Sequence, residues 1–329
     1  MIRTVIGIAA MMATASGRPI TLSEMNIDPS GVSVSGLSAG AFMAVQMHVA
    51  YSSTINGSAI FAGGPFYCAQ DSLMIAEEQC MYALMGGPAT SRLVTYTNSQ
   101  ASSGHIDETS NLADDRVYLF SGKDDSVVNP KVMHALEDYY STYMDSSNIE
   151  SEFTLKAQHC LPTMNFGEAC DIKKSPFIGK CNYDGAGIAL NQIYGPGLTE
   201  GKAVSGNLQE FDQTDFFSGP GTSLDSTGYI YIPTACAEGA TCKLHMSFHG
   251  CEQGQSYIGN EYAADTGFNS WAEANNIIVV YPYAVKDLSL GNGNGCFDWW
   301  GYTNADYSIK SGVQMAFSKA IIDTLMGTA

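Results

Sequence analysis

Along the chain, short apolar runs alternate with longer helix-like segments. Val32–Ser35, Ser58–Ala62, Arg116–Ser121, Phe153–Ala157, Gly228–Pro233, Leu244–Phe248 and Asn276–Tyr281 predict strands. Several are continuously apolar, as in parallel strands covered on both faces. Ala41–Tyr51, Pro130–Tyr143, Gly267–Asn275 and Gly312–Met326 predict helices. Strands separated by helices imply an α/β fold with a mainly parallel, doubly wound sheet. Gly185 to Gly221 is rich in Gly, Ser and Asn and reads as a connection within one domain, because neither side alone holds enough strands for a covered sheet. The acidic and polar stretch Thr97–Asp115 is expected at the surface.

The strand Val32–Ser35 runs directly into Gly36-Leu37-Ser38-Ala39-Gly40 and then into a predicted helix. A bare G-x-S-x-G match is weak, but strand–turn–helix is the context of a nucleophile elbow in α/β hydrolases. The turn is strained, and side chains at its flanks would meet neighbouring backbone, which accounts for the glycines. The helix start aims positive dipole density at a developing oxyanion. Ser38 is therefore the expected nucleophile.

A serine hydroxyl needs a base, and the base needs an orienting carboxylate. In α/β hydrolases these follow in the order Ser, Asp or Glu, His, at the ends of later strands. After Arg116–Ser121 come Asp124 and Asp125; after Phe153–Ala157 comes His159. Position and order fit either carboxylate. Of the other histidines, His48 falls in the helix after the nucleophile, and His105 and His134 lie in segments expected to be exposed.

The oxyanion hole needs two backbone N–H groups, one from the residue after the nucleophile and one from the loop after an earlier strand. Ala39 supplies the first. The strand and loop suited to the second, Leu244–Phe248 followed by His249-Gly250-Cys251, come long after the other site residues instead of before them. Starting the chain at Gly228 and continuing from its end to its beginning restores the usual order. The sequence thus reads as a circular permutation, tolerated because termini usually lie close together at the surface.

The formal net charge of −18 disfavours nucleic acid and anionic membrane as partners. Arg3, the apolar stretch Thr4 to Met12 and Ala13-Thr14-Ala15 predict a secretory signal over residues 1–17, with one domain over 18–329. No stretch is long enough to span a bilayer. Nine cysteines in an exported chain suggest disulfides. Cys68 and Cys80, Cys170 and Cys181, and Cys236 and Cys242 are local neighbours. Cys251 and Cys296 are candidates for a longer bridge, leaving Cys160 odd; the spacing itself does not fix the connectivity. No cysteine or histidine spacing suits zinc, and no metal or cofactor is expected.

With these parts placed, the chain resembles the fungal-type, single-domain extracellular poly(3-hydroxybutyrate) depolymerases, which are circularly permuted α/β hydrolases. The resemblance rests on Val32 to Gly40, Phe61-Ala62-Gly63-Gly64-Pro65, Cys181 to Gly187, His249-Gly250-Cys251 and Asp298-Trp299. It implies a triad of Ser38, Asp125 and His159, an oxyanion hole from the N–H groups of Ala39 and Cys251, and the bridges Cys68–Cys80, Cys170–Cys181, Cys236–Cys242 and Cys251–Cys296. Two departures stand out. Ala39 stands where such enzymes carry serine, which leaves the backbone N–H in place. The loop around Trp299-Trp300-Gly301-Tyr302-Thr303-Asn304 is shorter than the family's polymer-contacting aromatic segment.

The implied function is secreted hydrolysis of an aliphatic polyester through an acyl-enzyme, by a monomer, with Trp299, Trp300 and Tyr302 as candidates for substrate contact. The alternatives are a carbohydrate esterase releasing feruloyl or acetyl groups, and a non-catalytic secreted binding protein.

Overall fold

The computed structural model describes residues 19–329; the expected signal, residues 1–17, lies outside them. The strands are β1 (Ile27–Leu37), β2 (Gly57–Phe61), β3 (Arg116–Phe120), β4 (Ile149–Glu152), β5 (Leu161–Thr163), β6 (Glu168–Ala169), β7 (Ile178–Lys180), β8 (Leu208–Asp212), β9 (Thr227–Tyr231), β10 (Cys242–Phe248) and β11 (Ile277–Tyr281). Helices of eight residues or more are α1 (Ala39–Ala50), α2 (Thr90–Ser102), α3 (Pro130–Tyr140), α4 (Gly185–Tyr194), α5 (Phe268–Asn275) and α6 (Val313–Met326).

Eight strands form one sheet in the order β4-β3-β2-β1-β10-β11-β9-β8. Strand β9 is antiparallel to both neighbours, and every other pairing in this sheet is parallel. Counted from β8 to the C-terminal end and then onward from β1, the spatial order becomes 1-2-4-3-5-6-7-8. This is the circularly permuted α/β-hydrolase arrangement the sequence predicts. Met25 donates its N–H to the carbonyl of Leu325 at 2.8 Å, so the first described segment lies beside α6. A small second sheet, β5-β7-β6, follows His159.

The central strands are buried on both faces. Strand β11, Ile-Ile-Val-Val-Tyr, is fully covered along its length. Its Ile278 and Val280 join one apolar cluster with Val32, Val34, Leu244 and Met246. Ile277, Val279 and Tyr281 join the other with Phe61, Tyr118 and Phe120. In β1 the Val-Ser-Val-Ser alternation would suit a strand with one wet face, yet Ser33 and Ser35 are also buried. Their hydroxyls bind the two ring nitrogens of His245 on β10, at 2.7 and 2.8 Å. Satisfied this way, buried polar side chains are tolerated in a sheet core.

Three local expectations are corrected. The strand beside β3 is Ile149–Glu152, not Phe153–Ala157. Glu152 turns its carboxylate back to accept from the N–H groups of Thr154 and Leu155, at 2.6 and 2.9 Å, and this ends the strand. The supposed connection Gly185 to Gly221 contains α4 and β8. The stretch Thr97–Asp115 is only partly superficial: Thr97, Ala101, Ile106, Leu112 and Asp115 are buried. Thr97 escapes a desolvation penalty by donating to the Leu93 carbonyl and pairing with the Tyr139 hydroxyl.

Disulfides join Cys68 to Cys80, Cys170 to Cys181, Cys236 to Cys242 and Cys251 to Cys296. Among the described residues no helix is long and apolar enough to cross a membrane.

Candidate active site

Ser38 stands between β1 and α1 with φ 57° and ψ −122°. This left-handed conformation is costly for a residue with a side chain and is characteristic of a strained functional turn. The turn is held from both sides. Ser38 donates its N–H to Phe61 at 2.9 Å, and its carbonyl accepts from Ala41 and Phe42 at 2.9 and 3.0 Å. A side chain at Gly36 would collide with the Gly40 carbonyl, and one at Gly40 with the carbonyls of Phe248 and His249. The two glycines therefore let the elbow close on itself and seat against the end of β10.

Asp125 and His159 approach from β3 and from the segment after β4. Asp125 Oδ1 accepts from the N–H groups of Val127 and Val128, at 2.8 and 3.0 Å. Its Oδ2 lies 2.8 Å from His159 Nδ1. A carboxylate only accepts, so Nδ1 carries the proton and Nε2 is the free nitrogen of the neutral ring. Both side chains are buried, whereas Asp124 is exposed, which separates the two carboxylates left open by chain order.

The other histidines are occupied elsewhere. His48 is buried between Asp115 at 3.0 Å and Tyr140 at 2.8 Å. His105 and His134 are exposed. Burial pushes His245 down to about 3 and His249 down to about 4, so both are neutral near pH 7.

The loop after β10 packs against the elbow: a Cβ placed on Gly250 would stand 3.1 Å from the Cβ of Ser38. The Gly250 N–H is taken by Gln253 Oε1 at 2.7 Å, and the Gly250 carbonyl by His249 Nδ1 at 2.7 Å. Among the described residues, the N–H groups of Ala39 and Cys251 have no acceptor. Ala39 opens α1, where N–H groups lack intrahelical partners.

Ser38 and His159 line one cavity of about 290 Å³, together with Gly250 and Cys251. Its remaining walls are largely apolar, with Phe42, Val128, Phe177 and Trp299 among them. Trp299 is buried and stacks on Phe42 with ring centroids 4.2 Å apart. Of the three aromatics considered for substrate contact, Trp299 alone lines this cavity. Trp300 is half-buried beside it. Tyr302 points inward, donating to the Cys296 carbonyl at 2.7 Å and accepting from Gln314 at 2.9 Å. Asp298 fixes this loop: it accepts from the N–H groups of Gly301, Tyr302 and Thr303 at 2.8 to 3.0 Å.

Phe42, Phe177 and Gln253 were not singled out from the sequence. They are brought to the cavity by tertiary packing, and no motif marks them. Cys160 follows His159, is buried and unbridged, and lies within 4.8 Å of both sulfurs of the Cys170–Cys181 bridge.

No family model matches the chain. It is 38% identical over 326 residues to a polyhydroxybutyrate depolymerase of Talaromyces funiculosus, covering 94% of the chain and 92% of that protein. It is 45% identical over 309 residues to a poly(3-hydroxybutyrate) depolymerase of Delftia acidovorans; this match covers 92% of the chain but only 61% of that longer relative. The crystal structure of PHB depolymerase from Penicillium funiculosum has a TM-score of 0.87 and 36% identity, over 94% of this chain and 99% of that one. A serine-to-alanine variant of a PHB depolymerase complexed with an R3HB trimer has a TM-score of 0.86 at the same identity and coverage.

Sheet order and the strand–elbow–helix unit define this molecule as a circularly permuted α/β hydrolase. The identity to the Talaromyces enzyme, over nearly the full length of both, takes the assignment further. The chain belongs to the poly(3-hydroxybutyrate) depolymerase family.

Proposed function

We propose that the chain is a secreted serine esterase that hydrolyses poly(3-hydroxybutyrate) or a closely related aliphatic polyester. The reading is carried by the convergence of Ser38, the Asp125-paired His159 and Cys251 around one apolar cavity, with the N–H groups of Cys251 and of Ala39, the residue after Ser38, unoccupied among the described residues. His159 Nε2 takes the Ser38 proton as Oγ attacks the ester carbonyl, and Asp125 steadies the imidazolium formed. The two N–H groups stabilise the tetrahedral oxyanion. The intermediate collapses with cleavage of the ester C–O bond, and His159 protonates the departing alkoxide to an alcohol. Water, deprotonated by His159, then releases the acyl group from Ser38 by the same route. No step calls for a metal or an organic cofactor.

A polyester of hydroxybutyrate units is neutral and apolar, which suits walls built from Phe42, Val128, Phe177 and Trp299. Beside this cavity, Leu73, Met74, Tyr82, Leu84 and Met85 are all exposed in one short segment, and Met81 of that segment lines the cavity. Exposed apolar clusters of this kind mark interaction surfaces. Four disulfides support export to an oxidising compartment.

The test is product analysis after incubation with poly(3-hydroxybutyrate) film, with Ser38→Ala alongside. Release of hydroxybutyrate oligomers by the wild type and by no Ser38→Ala sample is the expected result. Release of ferulate or acetate from plant polysaccharide, with the film untouched, would overturn the substrate assignment. Full ester turnover by Ser38→Ala would overturn the nucleophile.

A further inference from the structure

Gln253 is fully buried in the wall of the cavity, and both polar atoms of its amide are committed. Oε1 accepts from the N–H of Gly250, the residue before Cys251, at 2.7 Å. Nε2 donates to the Pro176 carbonyl at 2.7 Å. Pro176 precedes Phe177, whose ring lies edge-on to His159 with centroids 6.4 Å apart. Phe177 in turn accepts through its carbonyl from Leu161 N–H at 3.0 Å, two residues beyond the base. The Cys170–Cys181 bridge closes the segment that carries Pro176 and Phe177.

The two halves of the site thus come from distant parts of the chain, and one side-chain amide spans them. A buried amide is costly unless satisfied, and here it also satisfies two backbone groups, the Gly250 N–H and the Pro176 carbonyl, which an apolar side chain of the same volume would leave without a partner. Its geometry suits a cross-brace. A Cβ placed on Gly250 would meet Gln253 Oε1 at 3.0 Å and the Cβ of Ser38 at 3.1 Å, so Gly250 packs closely against both residues. Through these contacts Gln253 ties the loop packed against Ser38 to the segment that places Phe177 beside His159.

We propose that Gln253 is a positioning residue for catalysis: it holds the oxyanion loop in register with the base by bridging Gly250 and Pro176. It touches no reacting atom in this role. The proposal rests on the Ser38–His159 reading, and that reading fails separately if Ser38→Ala keeps its activity.

Two variants test the brace. Gln253→Leu removes both bonds at similar volume. On p-nitrophenyl butyrate, kcat should fall at least tenfold with KM changed less than threefold, and a boronic acid inhibitor should weaken at least tenfold. These losses should appear in protein that still melts cooperatively. Gln253→Glu, when protonated, can accept from Gly250 and donate to Pro176; when ionised, it faces the Pro176 carbonyl with a second acceptor. The ratio of its kcat to that of the wild type should therefore fall as pH rises from 6 to 9. A folded Gln253→Leu with kcat within twofold of the wild type, or a loss confined to KM, would overturn the proposal. If Gln253→Leu does not fold, a pH-independent ratio for Gln253→Glu would overturn it instead.

Discussion

His249 donates from Nδ1 to the carbonyl oxygen of Gly250 over 2.7 Å, while its Nε2 accepts from the Ala284 N–H at 3.0 Å. The Gly250–Cys251 peptide is planar, so a fixed carbonyl fixes the direction of the Cys251 N–H on its other edge. The histidine thereby orients a donor without reaching the cavity. Replacing it with alanine should misalign that donor; loss of one oxyanion donor typically costs about 10²–10³ in kcat, and misalignment should take roughly 10–100 of that. Initial rates on p-nitrophenyl butyrate, with KM measured in parallel, check this. An unchanged kcat would show that the N–H is held by other means.

The same burial makes the fold sensitive to acid. His245 and His249 are pushed down to about 3 and about 4, from 6.5 in an exposed state. Between the folded and unfolded values, the unfolded chain binds protons that the folded chain refuses. Their contribution is thus fully present above the unfolded value and lost as pH falls, at up to about 1.4 kcal/mol per pH unit for each histidine. The melting temperature should drop steadily from pH 7 to pH 5. His245→Gln should flatten that slope, since a neutral amide cannot take up the proton; an equal slope in both proteins would refute the assignment.

The two adjacent carboxylates should behave differently. Asp125 is buried against His159 and held by two backbone N–H groups, whereas Asp124 is exposed. Asp125→Asn leaves the shape intact but favours the wrong tautomer of His159, and should lower kcat by roughly 10³–10⁴. Asp124→Asn should stay within twofold. A reversed pattern in ester turnover would exchange their roles.

Much of this arrangement was legible because its signals are local. The elbow is marked by two glycines that steric contact demands, and the order of elements betrays the permutation. The carboxylates could not be separated by spacing, since adjacent residues differ only in which way the loop turns them. Strand β4 was misplaced because Glu152 bonds back to its neighbours, and β8 because a polar, half-buried edge strand resembles a loop. Trp299 and Tyr302 look alike in sequence, yet Phe42 stacks one at the cavity while Cys296 and Gln314 draw the other inward. Gln253 carries no signal at all, because its partners Gly250 and Pro176 meet only in the folded chain.

Cys160 gives a simple chemical check on the packing behind His159. Burial, reinforced by the charge of Asp125, pushes its thiol up to about 12. At pH 8 almost none is thiolate, and the thiolate is the reactive form. A disulfide-exchange chromogen should therefore read close to zero thiol in the native protein. After denaturation without reductant, it should read one per chain. Rapid native labelling would mean that the segment around His159 opens freely.

The exposed segment beside the cavity separates binding to a solid from ester cleavage. Leu73, Met74, Tyr82, Leu84 and Met85 are each about half exposed or more, and Met85 is fully exposed. The side chains of Leu84 and Met85 are dispensable to the core, and apolar contact with a polymer surface is the gain they offer. Covering part of each on a surface is worth roughly 1 kcal/mol at about 25 cal/mol per Å², a factor of about five in affinity apiece. The double variant Leu84→Ser, Met85→Ser should adsorb to poly(3-hydroxybutyrate) granules at least tenfold more weakly and clear films correspondingly slowly. Turnover of p-nitrophenyl butyrate should remain within twofold, because neither side chain lines the cavity. Undiminished adsorption would move the polymer-binding face elsewhere on the surface, and a parallel loss of soluble-ester turnover would show that the segment shapes the cavity instead.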